Sequence, residues 1–287
     1  MKQYLLLILA LLPSLVFAQQ TNGTYRIFET KSGKTITVDE LVKNLEKTNV
    51  LVFGEEHNDS IGHLVEAEIF QKMLSAYPGT TLSLEMFATD VQPVVNEYLL
   101  ALISEKNFIK EARAWNNYND YKPLVELAKL NHAEVIAANV ATRYSNTVSM
   151  SGLAKLQEFP AASKQFLPPL PIDTATGRYH DKFIETLGGH DMGGMKIFQT
   201  QNLWDASMAW SVAKYVKLYP KKKVLQINGR FHSDERIGMV AQLKKYAPKL
   251  NVSNISCFTA EGSDEGNAKK YESLGDYIII TRPAKAK

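Results

Sequence analysis

Short runs of apolar and β-branched residues recur along the chain, separated by stretches whose apolar positions fall at helical spacing. Residues 49–53 (NVLVF), 80–86 (TTLSLEM), 133–138 (AEVIAA) and 223–227 (KVLQI) are of the first kind. Continuous runs of this type suit strands buried on both faces of a mostly parallel sheet. Residues 252–258 and 277–281 are two further strand candidates, separated by a turn-rich loop around Gly262 and Gly266. Between the strands, Ser60 is expected to cap a helix whose face carries Leu64, Ala67, Ile69 and Leu74. Residues 121–130 repeat the pattern with Leu124, Leu127, Ala128 and Leu130, and residues 204–218 with Met208, Val212, Tyr215 and Val216. The alternation predicts an α/β fold, a mostly parallel central sheet flanked by helices and joined by right-handed crossovers. Residues 151–200 break the rhythm with Pro160, Pro168, Pro169 and Pro171, then Gly177, Gly188 and Gly189. They read as a helical and loop insertion, a lid over the sheet edge, within one domain of residues 19–287.

The first eighteen residues carry a different signal. Lys2 is followed by an unbroken apolar run, residues 5–12, then Pro13, and Val16 and Ala18 stand at −3 and −1 from a cleavage point before Gln19. This is the pattern of a secretory signal peptide, residues 1–18. The run falls short of the about 20 residues of a membrane span. The expected location is therefore exported, periplasmic or secreted. No lipobox Cys stands at the cleavage point to carry a lipid. The single cysteine, Cys257, has no disulfide partner and reads as a buried, inert thiol. Thirty-three Lys and Arg against 30 Asp and Glu give a net charge of +3, without the basic excess of a nucleic-acid binder. The 45% hydrophobic content excludes disorder.

The sharpest chemistry lies just past two of the strands. Gly54-Glu55-Glu56-His57 follows residues 49–53 and Gly229-Arg230-Phe231-His232 follows residues 223–227, two G-x-x-H segments of the same form. In open α/β sheets ligands bind beyond the carboxyl ends of the strands. Glu85 ends the LSLE strand at the same level. If the three strands are neighbours, His57, His232, Glu85 and Glu55 converge. Nitrogen and oxygen donors of this kind suit zinc, manganese or another divalent ion, with Glu55 or Glu56 as general base. Arg143, after residues 135–140, is placed to bind an anionic group or to form a surface ion pair. Trp115, Tyr118 and Tyr121 cluster at a helix start. A Tyr phenolate can ligate ferric haem, though on the residues alone core packing is the favoured reading of such a cluster. His190 sits in a glycine-flanked loop, His190-Asp-Met-Gly-Gly194, where it could touch a cofactor or simply form a turn. His63, His132 and His180 show no partner in the sequence, and His63 does not share a helical face with His57. There is no G-x-S-x-G elbow, no phosphate-binding P-loop, no H-E-x-x-H helix and no C-x-x-C-H haem attachment.

Seven segments in order, GEEH, LSLEMF, W-x-x-Y-x-x-Y-x-P-L, VIAANVATR, HDMGG, Q-x-L-W-D-x-x-M-A and ING-x-F-H, resemble the ChaN-like haem-binding proteins, over residues 50 to 240. That family is similar in turn to the Tiki and TraB proteins and the erythromycin esterases. The resemblance implies a haem binder of iron acquisition, with a Tyr iron ligand (Tyr121 or Tyr118 here) and a haem-dependent homodimer. The porphyrin is expected to lie against the carboxyl edge of the sheet, under the insertion. An outer-membrane haem receptor is the expected partner. The wider superfamily implies instead a metal-dependent hydrolase site, at His57, Glu85 and His232 in this chain.

Overall fold

In a computed structural model, residues 24–188, 195–260 and 268–282 are described. The signal-peptide segment and His190 lie outside them. The chain opens with a hairpin, β1 (Tyr25–Glu29) and β2 (Lys34–Ile36), then helix α1 (Val38–Asn44). β3 (Val50–Glu55), α2 (Ser60–Ala76) and β4 (Thr81–Ala88) follow. Helices α3 (Gln92–Leu99), α4 (Glu105–Glu111) and α5 (Tyr118–Leu130) lead to β5 (Val135–Asn139). Helices α6 (Thr142–Ser151), α7 (Ala161–Lys164), α8 (Arg178–Leu187) and α9 (Ile197–Leu218) then return the chain to β6 (Val224–Gly229). α10 (Met239–Tyr246), β7 (Val252–Thr259) and β8 (Tyr277–Thr281) complete the sequence of elements.

The eight strands form one sheet in the order β2-β1-β8-β7-β3-β6-β4-β5. The six from β8 to β5 run parallel, and the hairpin closes the β8 edge in antiparallel register. All six strands expected from apolar runs are present. The hairpin was not expected, and the reason is visible in its burial: only Ile27 and Phe28 are covered, and the three residues of β2 are exposed or half-exposed. Alternate residues of β3 face opposite layers. Leu51 and Phe53 pack against α1, α2 and α5, whereas Val50 and Val52 pack against α9 and α10. Three corrections concern helices. Asp59 rather than Ser60 caps α2, its carboxylate accepting from the Ile61 amide at 3.1 Å. α5 begins at Tyr118, and α9 at Ile197 rather than 204. Within residues 151–200 the chain forms a 3-10 segment, α7, α8 and the start of α9. Leu153, Leu156, Leu167 and Ile172 build a separate cluster there with Tyr144 and Val148 of α6.

The order places β6 between β3 and β4, although β6 comes last of the three in the chain. Glu55 is in register with Gly229, and Gly54 with Asn228. The turn after β6 therefore runs back over Gly54. A Cβ there would stand 2.5 Å from Ser233 Oγ and 2.9 Å from Arg230 Cα. One contact is backbone, so the turn itself has to shift. Gly54→Ala is expected to lower unfolding stability by about 1–3 kcal/mol, the usual penalty for overpacking. An unchanged melting midpoint in thermal denaturation would contradict the close approach.

Candidate functional site

Three strand ends build the site. Glu55, the last residue of β3, is 2% exposed and carries the densest set of contacts. Tyr121 OH donates to its Oε1 at 2.8 Å, and His57 Nδ1 lies 2.7 Å from the same oxygen. His63 Nδ1 lies 3.2 Å from Oε2. Burial alone would raise the Glu55 pKa, but the hydrogen bond with His57 and the adjacent His63 imidazole outweigh it and hold the carboxyl down at about 2. His63 answers in the opposite sense. Burial disfavours its charge, yet Glu55 and Glu66 raise it to about 11.

The second G-x-x-H segment closes over the first. The His57 ring has its Nε2 2.8 Å from where a Cβ on Gly229 would stand. Glycine at that position is what lets the imidazole lie on the end of β6. The Gly229 amide donates to Glu85 Oε2 at 2.8 Å, and Glu85 Oε1 is 3.6 Å from His232 Nε2. The two histidines thus meet on either side of Glu85. His232 is braced from α9. Its Nδ1 is 2.8 Å from Asp205 Oδ1, and the Gln201 amide is 3.0 and 3.2 Å from its two ring nitrogens. Tyr179 of α8 donates to the other Asp205 oxygen, and Lys182 donates to the Phe231 carbonyl at 3.1 Å. The insertion is thereby fastened to the end of β6. His57 is the solvent-facing member, its side chain 45% exposed, and Trp115 stands edge-on to it.

The remaining sequence candidates fall elsewhere. Glu56 turns towards β7, accepting from the Thr259 amide at 3.0 Å and pairing with Arg230. Arg143 pairs with Asp90, which it shares with Arg113. Tyr118 packs against Phe108, its hydroxyl buried without a partner. Tyr121 is fully buried, and burial together with Glu55 raises its phenol well above the usual range. The expected metal trio of His57, Glu85 and His232 lines one cleft. Among the described residues, however, the set whose ligand atoms all lie within 4.8 Å is Glu55, His63 and Glu66. His63 therefore has partners that its distance from His57 in sequence did not suggest. The signal was its i, i+3 spacing to Glu66 on α2. Asp205 and Gln201 were also missed. They share a face of α9 at i, i+4, inside the quoted Q-x-L-W-D segment.

A second feature lies within the insertion. An open groove of ≈ 600 Å³ runs between α8 and the start of α9. Phe183, Ile184, Leu187, Ile197 and Phe198 line it, with Thr174, Thr176, His180, Lys196 and Gln199 as polar members. The His180 ring stands edge-on to Phe198 at 4.9 Å and its side chain is half-exposed.

Fold and site together define an α/β protein with histidine and carboxylate side chains gathered at the carboxyl ends of its central parallel strands. The chain belongs to the family described as haem-binding uptake, Tiki superfamily, ChaN, whose profile matches residues 41–243. Membership supports a haem-binding, uptake-type function with haem as cofactor. A solved structure titled cofacial heme binding to ChaN of Campylobacter jejuni is similar in fold, with a TM-score of 0.69 at 17% identity, over 91% of this chain and 98% of that one. A Bacillus cereus protein gives a TM-score of 0.49 at 11% identity over 86% of this chain and 92% of that one. A MARTX toxin effector domain from Vibrio vulnificus gives 0.45 at 15% identity, over 80% and 37%. No curated protein matches.

Burial disfavours a charged His232, but Glu85 and Asp205 outweigh it and raise its pKa. A raised value means that the folded state binds the proton more tightly. The stability this supplies is complete below about pH 6.5 and is lost as pH rises through the raised value. In an NMR titration the His232 midpoint should lie above about 6.5, and Asp205→Asn should lower it. Equal midpoints in the two proteins would contradict the brace.

Proposed function

We propose that this protein is an exported haem binder of an iron-uptake system, and that the porphyrin lies in the groove between α8 and α9. The observation that carries this is the groove itself. Its volume falls within the about 300–1,000 Å³ typical of small-molecule sites, and its walls are mostly apolar. Phe183 and Phe198, 5.0 Å apart between ring centroids, would pack together against one face of the ring, and Lys196 would meet a propionate. When bound, haem supplies an iron centre that accepts an axial donor. The proposed donor is His180, the half-exposed imidazole of the groove. Tyr121 is disfavoured because ligation would take its hydroxyl from Glu55, and Tyr118 because its hydroxyl lies in the core. Ile184 and Met195, both 45% exposed at the groove, are apolar surface that a second copy would cover. A haem-dependent dimer fits the cofacial arrangement named for the Campylobacter jejuni protein. An outer-membrane haem receptor is the proposed recipient.

A hydrolytic reading is favoured by one observation. Two imidazoles, one braced by Glu55 and one by Asp205, flank the single carboxylate Glu85. Such an arrangement can move a proton to or from a bound substrate. The groove shares no lining residue with His57, Glu85 and His232, so the two readings do not compete for the same residues.

Hemin titrated into the purified protein is expected to give a saturable Soret shift. His180→Ala should remove it or change its position, and Tyr121→Phe should leave it in place. A flat titration, or loss confined to Tyr121→Phe, would overturn the groove assignment.

A further inference from the structure

Beneath the cleft lies a group of side chains that haem binding does not use. Glu55 closes β3, and His63 and Glu66 stand one turn apart on the sheet-facing side of α2. All three are buried, Glu66 completely. Glu55 uses its two oxygens differently. Oε1 receives Tyr121 and His57, whereas Oε2 faces His63 Nδ1 at 3.2 Å and has no hydrogen-bond partner. Glu66 Oε1 is likewise buried and without a partner, and its Oε2 is 3.4 Å from the same nitrogen. Two buried carboxylates beside one imidazole cannot both be charged without a cation among them. That cation is either a proton or a metal ion.

The surroundings favour the metal. One ligand atom from each residue lies within 4.8 Å of the others. The far nitrogen of His63, Nε2, is 3.2 Å from the His57 carbonyl, which fixes the tautomer that leaves Nδ1 free to ligate. Metal-bound histidines are held in this way, and ligating carboxylates are in turn hydrogen-bonded, as Tyr121 holds Glu55. Two carboxylates with a neutral imidazole carry two negative charges, matching a divalent ion. One nitrogen and two oxygen donors suit zinc, manganese or ferrous iron, at about 2.0–2.2 Å for zinc.

We propose that Glu55, His63 and Glu66 form a buried site for one divalent transition-metal ion, one layer below the cleft of His57, Glu85 and His232. Protein stripped with chelator is dialysed against Zn²⁺ or Mn²⁺, and bound metal is counted by mass spectrometry. About one equivalent is expected in the wild type, in Glu85→Gln and in His232→Ala. His63→Gln and Glu66→Gln should lose it, and Tyr121→Phe should weaken affinity by about 10–100-fold. Circular dichroism reports whether each variant is folded. Because a core variant can unfold, the wild type is also titrated with Co²⁺, whose visible bands report coordination without any substitution. Absence of both bound metal and cobalt bands would overturn the site and leave a shared proton in its place. Metal kept in folded Glu66→Gln but lost in His232→Ala would overturn it in favour of the upper cleft. Haem binding is read separately by the Soret band, so neither proposal shields the other.

Discussion

One buried carboxylate organises this molecule. Glu55 has almost no contact with water, and a lone charge there would be costly. It is tolerated because a phenol, two imidazoles and a strand end are arranged around it. Each partner comes from a different place: Tyr121 from α5, His63 from α2, His57 from the loop between β3 and α2. The carboxylate therefore ties three segments to the end of the central strand. Removing one member of such a group leaves an uncompensated charge, at a cost of about 3–5 kcal/mol. Nearby loops can then remain open to ligands while the base of the cleft stays fixed.

The sheet order supplies the other half of the arrangement. A chain that laid β4 directly beside β3 would separate the two G-x-x-H turns by a strand. Inserting β6 between them brings Gly229 into register with Glu55 and seats His57 on the glycine. Glu85, from β4, then accepts from the Gly229 amide and stands beside His232. Through Asp205 the same pair reaches α9, and through Tyr179 it reaches the insertion. The insertion is thus fixed to the end of β6 and also lines the groove between α8 and α9.

Much of this was legible in the residues, for a physical reason. Strands buried on both faces must be apolar throughout, so all six parallel strands stood out as runs. The convergence of His57, Glu85 and His232 followed from their common position just past such runs. The hairpin β1–β2 was not legible because it lies at an edge and buries few side chains. Helix starts shifted because caps are local: Asp59, not Ser60, holds the α2 amides. Within the site, His63, Glu66, Asp205 and Gln201 escaped notice because helical residues reveal their neighbours only through face and spacing. Glu56 and Arg143 show the converse. Both stand beside a strand end in sequence, yet their side chains turn to Thr259 and Asp90. A residue's level on the sheet is readable from sequence, and its side-chain direction much less so.

The ionised state of Glu55 is the claim on which the arrangement of Tyr121, His57 and His63 at the base of the site depends. Carbon-detected NMR of protein labelled at the glutamate carboxyl carbons measures it directly. The account predicts that the Glu55 resonance stays at its ionised position while ordinary glutamates titrate near pH 4.3, moving only as pH approaches about 2. A Glu55 carboxyl that takes up its proton together with the surface glutamates would contradict it.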